Sequence, residues 1–508
     1  MGKINYLNAR NNQHMKNIFS RRGPRVALCA LLLFLACAAL RAQDGKISVK
    51  WNQVVTVSKT TPTLQVVVNP MLRSHSPIHQ GSFQALKSLG ADYVRYVPWF
   101  PYTRQAVAEL HPPGKDRTYW DFTLMDSIMQ DFMEATAGHS VVINFSTIPV
   151  WMFKTDTPVV FPDDPDEVFW NYNQGTRLRD TTMKELSDYF ARLFSWYTRG
   201  GFSDELGKFH ASGHHYTIPY WEVLNEPDLE HQITPRQYTK MYDAIVSGLK
   251  KMSPSTKFIG ISLAFSNNPE WFEYFLNKKN HRPGIPLDAI SYHFYASPVK
   301  GQTLDQYQFS FFDQASGFLN KVRYIESIRK RLSPQTKTTI NEIGSIINAE
   351  PENIPIDYWN LSGALYAYLF VEMTKLGIDV AGESQLVGYP TQFPDVSMMD
   401  WRNGHPNPRY WVLKLLKDHF GPGDRLLETN VDGNGQDVSA QAIRTSAGQY
   451  LLLVNMRNRE ISLGLPDEAK NAALLSVDQS TGEGQPQHST APGTRVTLKP
   501  FTVMIVKL

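Results

Sequence analysis

Two short stretches end in groups that could do chemistry. In Tyr220-Trp221-Glu222-Val223-Leu224-Asn225-Glu226-Pro227-Asp228 an apolar, β-prone run breaks off in Asn-Glu-Pro. A buried strand there delivers an amide and a carboxyl side by side at its C-terminal end. Pro227 lacks the N–H that a sheet ladder needs, so the chain must turn. Glu222 lies on the strand proper, where a paired or outward-facing glutamate is expected. A second run, Thr338-Thr339-Ile340-Asn341-Glu342-Ile343-Gly344, ends in another carboxylate, followed by a glycine that permits a sharp exit. Either glutamate alone is also what a solvated turn or a structural strand end would carry. As a pair they can divide proton donation from nucleophilic attack.

The first pattern resembles the acid/base signature of retaining glycoside hydrolases of clan A. Its surroundings are similar to glycoside hydrolase family 39, which includes β-xylosidases and α-L-iduronidases, over a span from about Gly81 to Phe420. The resemblance implies that Glu226 is the acid/base and Glu342 the nucleophile, at the roughly 5–5.5 Å separation retaining enzymes use. Charge on Glu342 would then raise the pKa of Glu226 and keep it protonated for the first step. Asn225 resembles the amide that binds the sugar 2-hydroxyl. Ser291-Tyr292-His293-Phe294-Tyr295 resembles the clan's histidine and tyrosine beside the nucleophile, so His293 or Tyr295 would donate to Glu342, against the plainer reading of a buried, satisfied histidine. Arg95 is a cation inside an apolar strand and wants a partner, which in this clan is Glu342. Trp99, Trp151 and Trp401 each follow a strand and are candidates for stacking on sugar or for packing. Glu383 has no counterpart in the pattern; it is left as a ligand for a hydroxyl or cation, or as a rival nucleophile. A uronide substrate would need a cation, for which Arg402 is available. No cofactor or metal is implied, because two carboxylates suffice and His214-His215 lack a further ligand at helical spacing.

The elements that position these residues alternate between strand and helix, which argues for a parallel sheet. Strands are expected at 66–69, 93–97, 141–146, 221–225, 258–263, 289–294, 338–341 and 380–386. Eight such units point to an α/β fold, a (β/α)8 TIM barrel, which places Glu226 on the fourth strand and Glu342 on the seventh, at the C-terminal ends where such barrels carry function. Leu186, Tyr189, Phe190, Leu193, Phe194 and Tyr197 recur at helical spacing. Thr234-Pro235-Arg236-Gln237 reads as a capping box with proline at the first helical position. After about Gly421 the texture changes: 430–435 is turn-rich, and short alternating runs follow at 449–455, 461–465, 473–477, 495–499 and 501–507. They read as a small C-terminal antiparallel β-sandwich. The expected division is a signal peptide over 1–42, N-terminal strands over 43–62 that join the β-domain, a catalytic barrel over 63–420 and the sandwich over 421–508.

Residues 1–42 read as an export signal, with a basic region before an apolar run at 26–40 that is short for a membrane span, and cleavage near Ala42. The alternative is an uncleaved anchor. The seven Lys and Arg residues of this segment, with no acids among them, turn the formal charge of the 508-residue chain from +3 to −4. That removes any basic signature of a nucleic-acid partner. Cys29 and Cys37 leave with the signal, which excludes thiol chemistry and disulfides from the exported chain. The expectation is a secreted or periplasmic enzyme acting on carbohydrate, with no stable membrane span after cleavage. β-Xylosidase-like action is favoured over an endo-glycanase, an α-L-iduronidase-like enzyme or a non-catalytic carbohydrate-binding barrel. Sugar, anomer and oligomeric state are not encoded in these patterns.

Overall fold

The computed structural model describes residues 45–508 except 171–174, 348 and 434. The segment read as an export signal, with both cysteines, lies outside the described residues. Eight parallel strands close into a barrel: β1 (Thr61–Val67), β2 (Val94–Val97), β3 (Val141–Ile143), β4 (Tyr220–Glu222), β5 (Lys257–Leu263), β6 (Ala289–Ala296), β7 (Lys337–Ser345) and β8 (Val380–Glu383). The (β/α)8 reading holds. The two helices legible from their apolar stripes span Lys184–Thr198 and Pro235–Met252, the second with its Thr234–Gln237 capping box in place.

Two ladders are shorter than their apolar runs. β3 stops at Ile143 and β4 at Glu222, although the next residues still reach the neighbouring strands, Asn144 N–H to the Tyr96 carbonyl and Val223 N–H to the Ile259 carbonyl.

The second layer is a nine-stranded sheet with its own core, in which Leu451 and Leu453 meet Ile47, Leu463 and Val506. Period-two alternation sends Tyr450, Leu452 and Val454 of the same strand, Gly448–Asn455, to the barrel side. Helix Tyr358–Leu376 is apolar nearly all round because it lies between barrel strands on one side and strands Gly448–Asn455 and Val503–Lys507 on the other. The N-terminal strand Gly45–Val57 belongs to this sheet, antiparallel to Arg425–Asp432, with Ile47 opposite Val431. The turn expected over 430–435 starts late in that span: the strand runs on through Asp432, and the turn begins at Gly433 with φ 86°. Among the described residues no helix is long and apolar enough to cross a membrane.

Candidate active site

After Glu222 the chain leaves the ladder with Leu224 and Glu226 in left-handed backbone, φ 62° and 41°. Non-glycine residues adopt that conformation at a cost of about 1–3 kcal/mol each, so the surroundings must hold it. Asn144 Nδ2 donates to the Leu224 carbonyl at 3.0 Å, and the Glu226 N–H donates to the Ser262 carbonyl at 2.9 Å. The irregular path turns Asn225 and Glu226 into the same cavity, although a regular strand would send neighbours to opposite faces.

A second irregularity serves the other carboxylate. The register of β7 against β6 slips between Thr339 and Glu342. An extra residue in one strand re-aims the side chains around it, and here Asn341 and Glu342 both face the barrel interior. Asn341 Nδ2 donates to Glu222 Oε1 at 2.8 Å while Glu342 meets Arg95. Gly344 provides no sharp exit, since β7 continues to Ser345; a Cβ there would stand 3.3 Å from the Tyr295 ring, so the glycine makes room for that tyrosine. β6 needs no slip: Ser291, His293 and Tyr295 point inward on every second residue, and Tyr292 packs outward on Phe272 and Phe318.

Arg95, 1 % exposed, is the hub. A guanidinium has five N–H groups and no acceptor, and acceptors surround this one. Nε donates to Glu222 Oε2, Nη1 to Gln65 Oε1 (2.7 Å) and Glu342 Oε1 (2.5 Å), and Nη2 to Asn225 Oδ1 (2.7 Å) and Ser262 Oγ (3.1 Å). Glu222 is a paired interior carboxylate that also accepts from Asn144, Ser291 and Asn341. The Asn225 amide is fixed: its oxygen takes Arg95, one N–H goes to Glu230 Oε1 at 2.8 Å, and among the described residues the other N–H of this cavity-lining side chain has no further partner.

The pKa values of the two glutamates are pushed in opposite directions. Burial pushes Glu226 up, the charge of Glu342 adds to this, and contact with His293 only partly offsets it. Burial would raise Glu342 too, but His293, Arg95 and the Tyr295 hydroxyl, which donates to Oε2 at 2.7 Å, together outweigh it and hold the carboxyl low. Burial thus contributes more to the state of Glu226 than the charge of Glu342 does. His293 lies between them, Nδ1 2.8 Å from Glu226 Oε1 and Nε2 3.6 Å from Glu342 Oε1. Burial lowers its pKa, and the two carboxylates more than reverse that. One donor atom from each of Glu226, His293 and Glu342 falls within 4.8 Å of the others, a spacing that could hold a cation. The Arg95 guanidinium already sits on Glu342 Oε1, so an ion there would compete with it.

These groups form the floor of a cavity of about 940 Å³ at the C-terminal mouth of the barrel. One side is walled by four rings: Trp99 lies 5.1 Å from Phe100, 5.4 Å from Trp170 and 6.3 Å from Phe393, centroid to centroid. Trp99 is anchored by its Nε1, which donates to Glu230 at 2.7 Å. The other sequence candidates stand elsewhere. Trp151 does not line the cavity: its Nε1 donates to the Glu109 carbonyl and Arg179 stacks on its ring at 4.6 Å. Trp401 lies outside it too, covered by Arg402 at 5.6 Å, and Arg402 is paired with Asp400. Glu383 is fully buried beside Arg409, whose Nε donates to it at 2.9 Å, so it can neither touch substrate nor replace Glu342. Gln65, Ser262, Glu230 and Ser384 are part of the site and were not singled out from the sequence. Gln65 and Ser262 carried the signal that exposed Arg95, a polar residue within an apolar parallel strand.

A closed eight-stranded parallel barrel with glutamates at the ends of its fourth and seventh strands, beside an immunoglobulin-like antiparallel domain, is the clan A glycoside hydrolase fold. Within that fold, residues 213–345 match the model of the glycosyl hydrolases family 39. Residues 435–506 match that of the D-apionate lactonase C-terminal immunoglobulin-like domain. Similar solved structures include a family 39 β-xylosidase from Caulobacter crescentus, 14 % identical, covering 91 % of this chain and 99 % of that one at a TM-score of 0.59. A family 51 α-L-arabinofuranosidase from Thermotoga petrophila is 14 % identical over 91 % of this chain and all of its own, at 0.62. A family 30 endoxylanase from Clostridium papyrosolvens is 12 % identical over 91 % and 99 %, at 0.53. At such identities the likeness is one of fold. No curated protein matches the sequence.

Proposed function

We propose that this chain is a secreted, retaining glycoside hydrolase that removes single neutral sugars, as a β-xylosidase does. The observation that carries the reading is the Glu226–Glu342 pair, with carboxylate oxygens within 4.8 Å of each other and pKa values pushed in opposite directions. That spacing suits direct attack by a carboxylate, whereas inverting enzymes leave roughly 6.5–9.5 Å for a water.

In the first step a Glu342 oxygen attacks the anomeric carbon while the Glu226 proton passes to the departing glycosidic oxygen. The carbon–oxygen bond to the leaving group breaks and a glycosyl ester forms. With Glu342 neutralised, Glu226 is an ionised base. It takes a proton from water, whose oxygen attacks the same carbon, releasing the sugar with its configuration retained and restoring both side chains. His293 steadies Glu226 while it is charged, and the remaining Asn225 N–H faces the cavity as a donor to the hydroxyl next to the anomeric centre.

The aromatic wall along one side of the cavity is the feature that favours exo action. Neutral sugar is supported by charge: Glu230 and Asp313 line the cavity with the catalytic pair, the Arg95 donors are all engaged, and Lys321 is the one lysine among the described lining residues. A screen of residues 43–508 against aryl β-xyloside, α-iduronide, β-glucoside and α-arabinoside tests this beside Glu226→Gln and Glu342→Gln. Hydrolysis of a neutral glycoside that both substitutions abolish is expected. Preference for the iduronide, or activity surviving Glu342→Gln, would overturn the reading, and sugar binding without turnover would make the barrel a carbohydrate-binding protein.

A further inference from the structure

The reading above leaves the buried Glu383–Arg409 pair and the polar residues Gln65 and Ser384 without a role. They meet at one place. Gln65 Nε2 lies 2.6 Å from Ser384 Oγ, and Ser384 Oγ lies 2.6 Å from the Tyr295 hydroxyl. Tyr295 donates to Glu342, Glu342 accepts from Arg95, and Arg95 donates to Gln65. The contacts close a ring of five side chains around the nucleophile.

Elementary donor and acceptor chemistry fixes every proton in that ring. Arg95 can only donate, so the Gln65 oxygen faces it and the Gln65 amide nitrogen faces Ser384. An ionised Glu342 can only accept, so it takes the single Tyr295 proton. The Tyr295 oxygen must then accept from Ser384, whose own oxygen is covered by the Gln65 N–H. Two donor paths leave Arg95, one direct and one through Gln65, Ser384 and Tyr295, and both end on Glu342. Hydrogen bonds aligned this way polarise one another.

The backbone of Ser384 is held as firmly as its side chain. Its N–H donates to the Ile343 carbonyl at 2.9 Å, directly after the nucleophile, and its carbonyl accepts from Arg409. Arg409 in turn is held by Glu383 and by the Val396 carbonyl. The third carboxylate therefore acts at a distance, by fixing the arginine that fixes Ser384.

We propose that Ser384 and Gln65 are positioning residues that lock the Tyr295 hydroxyl onto Glu342 and so keep the nucleophile ionised. The inference rests on the functional reading for its purpose, but the titration of Glu342 tests it without turnover. Carbon-13 labelling of glutamate, with the Glu342 resonance assigned by its loss in Glu342→Gln, reports the carboxyl pKa in the full chain. Ser384→Ala is expected to raise that pKa, and the acid limb of kcat/KM, by about half to one pH unit, as loss of one hydrogen bond to a neutral group implies. KM stays near its original value and Ser384→Thr restores the limb. In a Tyr295→Phe background Ser384→Ala adds no further shift. An unmoved Glu342 titration, or an equal shift in that background, overturns the ring. A raised KM with an unmoved limb would make Ser384 a substrate contact instead. Absence of glycoside hydrolysis would sink the functional reading while the titration still decides the ring.

Discussion

Replacing His293 by asparagine should move both limbs of the pH–rate profile upward together. The asparagine nitrogen can occupy the place of Nδ1 and keep a donor near Glu226, so the substitution chiefly removes the charge that His293 carries when protonated, a form its two carboxylate neighbours favour. That charge lies 2.8 Å from Glu226 and 3.6 Å from Glu342. A unit pair at 4 Å is worth about 4 kcal/mol at the effective dielectric of protein sites, an upper figure for such a pair. A charge-assisted hydrogen bond contributes about 1.5–3 kcal/mol, or about one to two pH units. The signs follow from what each carboxyl loses. Glu342 is held low by His293 first and by Arg95 next, so without the imidazolium its pKa rises and the acid limb of kcat/KM moves up. Glu226 is already raised by burial and is lowered by His293, so it rises further and the basic limb follows. The whole bell should shift by about one to two units with little narrowing. The assay is kcat/KM against pH on an aryl glycoside, with circular dichroism to confirm the fold. A single moving limb, or a shift to lower pH, would refute the placement of His293 as a charge shared by both carboxyls.

Three further outcomes are expected. Trp99→Ala should raise KM by about tenfold, equivalent to about 1.4 kcal/mol, with a smaller effect on kcat, because the ring wall is opened away from the carboxylates; an unchanged KM would remove Trp99 from sugar binding. Arg409→Met strips donors from buried Glu383 and from the Ser384 and Val396 carbonyls; at about 1–3 kcal/mol for each buried group left without its partner, Tm should fall by several degrees or more, and a neutral result would deny the clamp. Glu109 is pushed up to about 8 by burial. The fold prefers its protonated form, so this contribution to stability is full below the ordinary carboxylate range and is lost as pH rises through about 8. Glu109→Gln should therefore gain on the wild type in Tm as pH rises from 5 to 9, and a constant difference would contradict it.

What could be read in advance followed the logic of local pattern. Asn225-Glu226 and Asn341-Glu342 stand where apolar runs stop, and Arg95 stands where none should be charged, so all three were visible in the sequence. Which way their side chains point was not. Asn341 and Glu342 share a face only because β7 slips against β6, and Glu226 reaches the cavity through left-handed backbone that no propensity favours. Gln65 and Ser384 acquire meaning from each other, 319 residues apart, and from Tyr295, 89 residues before Ser384. Two of the three tryptophans failed for a related reason. A ring after a strand is a stacking platform only if nothing else covers it, and Arg179 and Arg402 cover Trp151 and Trp401.

The strand Gly45–Val57 has a consequence for the order in which the chain can assemble. It is made early, yet its ladder partner Arg425–Asp432 is made only after every barrel strand. Contacts of such long sequence separation form late, because the intervening chain must first be brought together. During synthesis this segment is an unsatisfied edge, and Val54, Val55 and Val57 remain exposed even in the finished sheet. An unpaired, apolar edge is an invitation to association with other chains. The last ninety or so residues thus act as the cap that retires it, and a fragment cut at the barrel's end should aggregate even though its eight-stranded ring is whole.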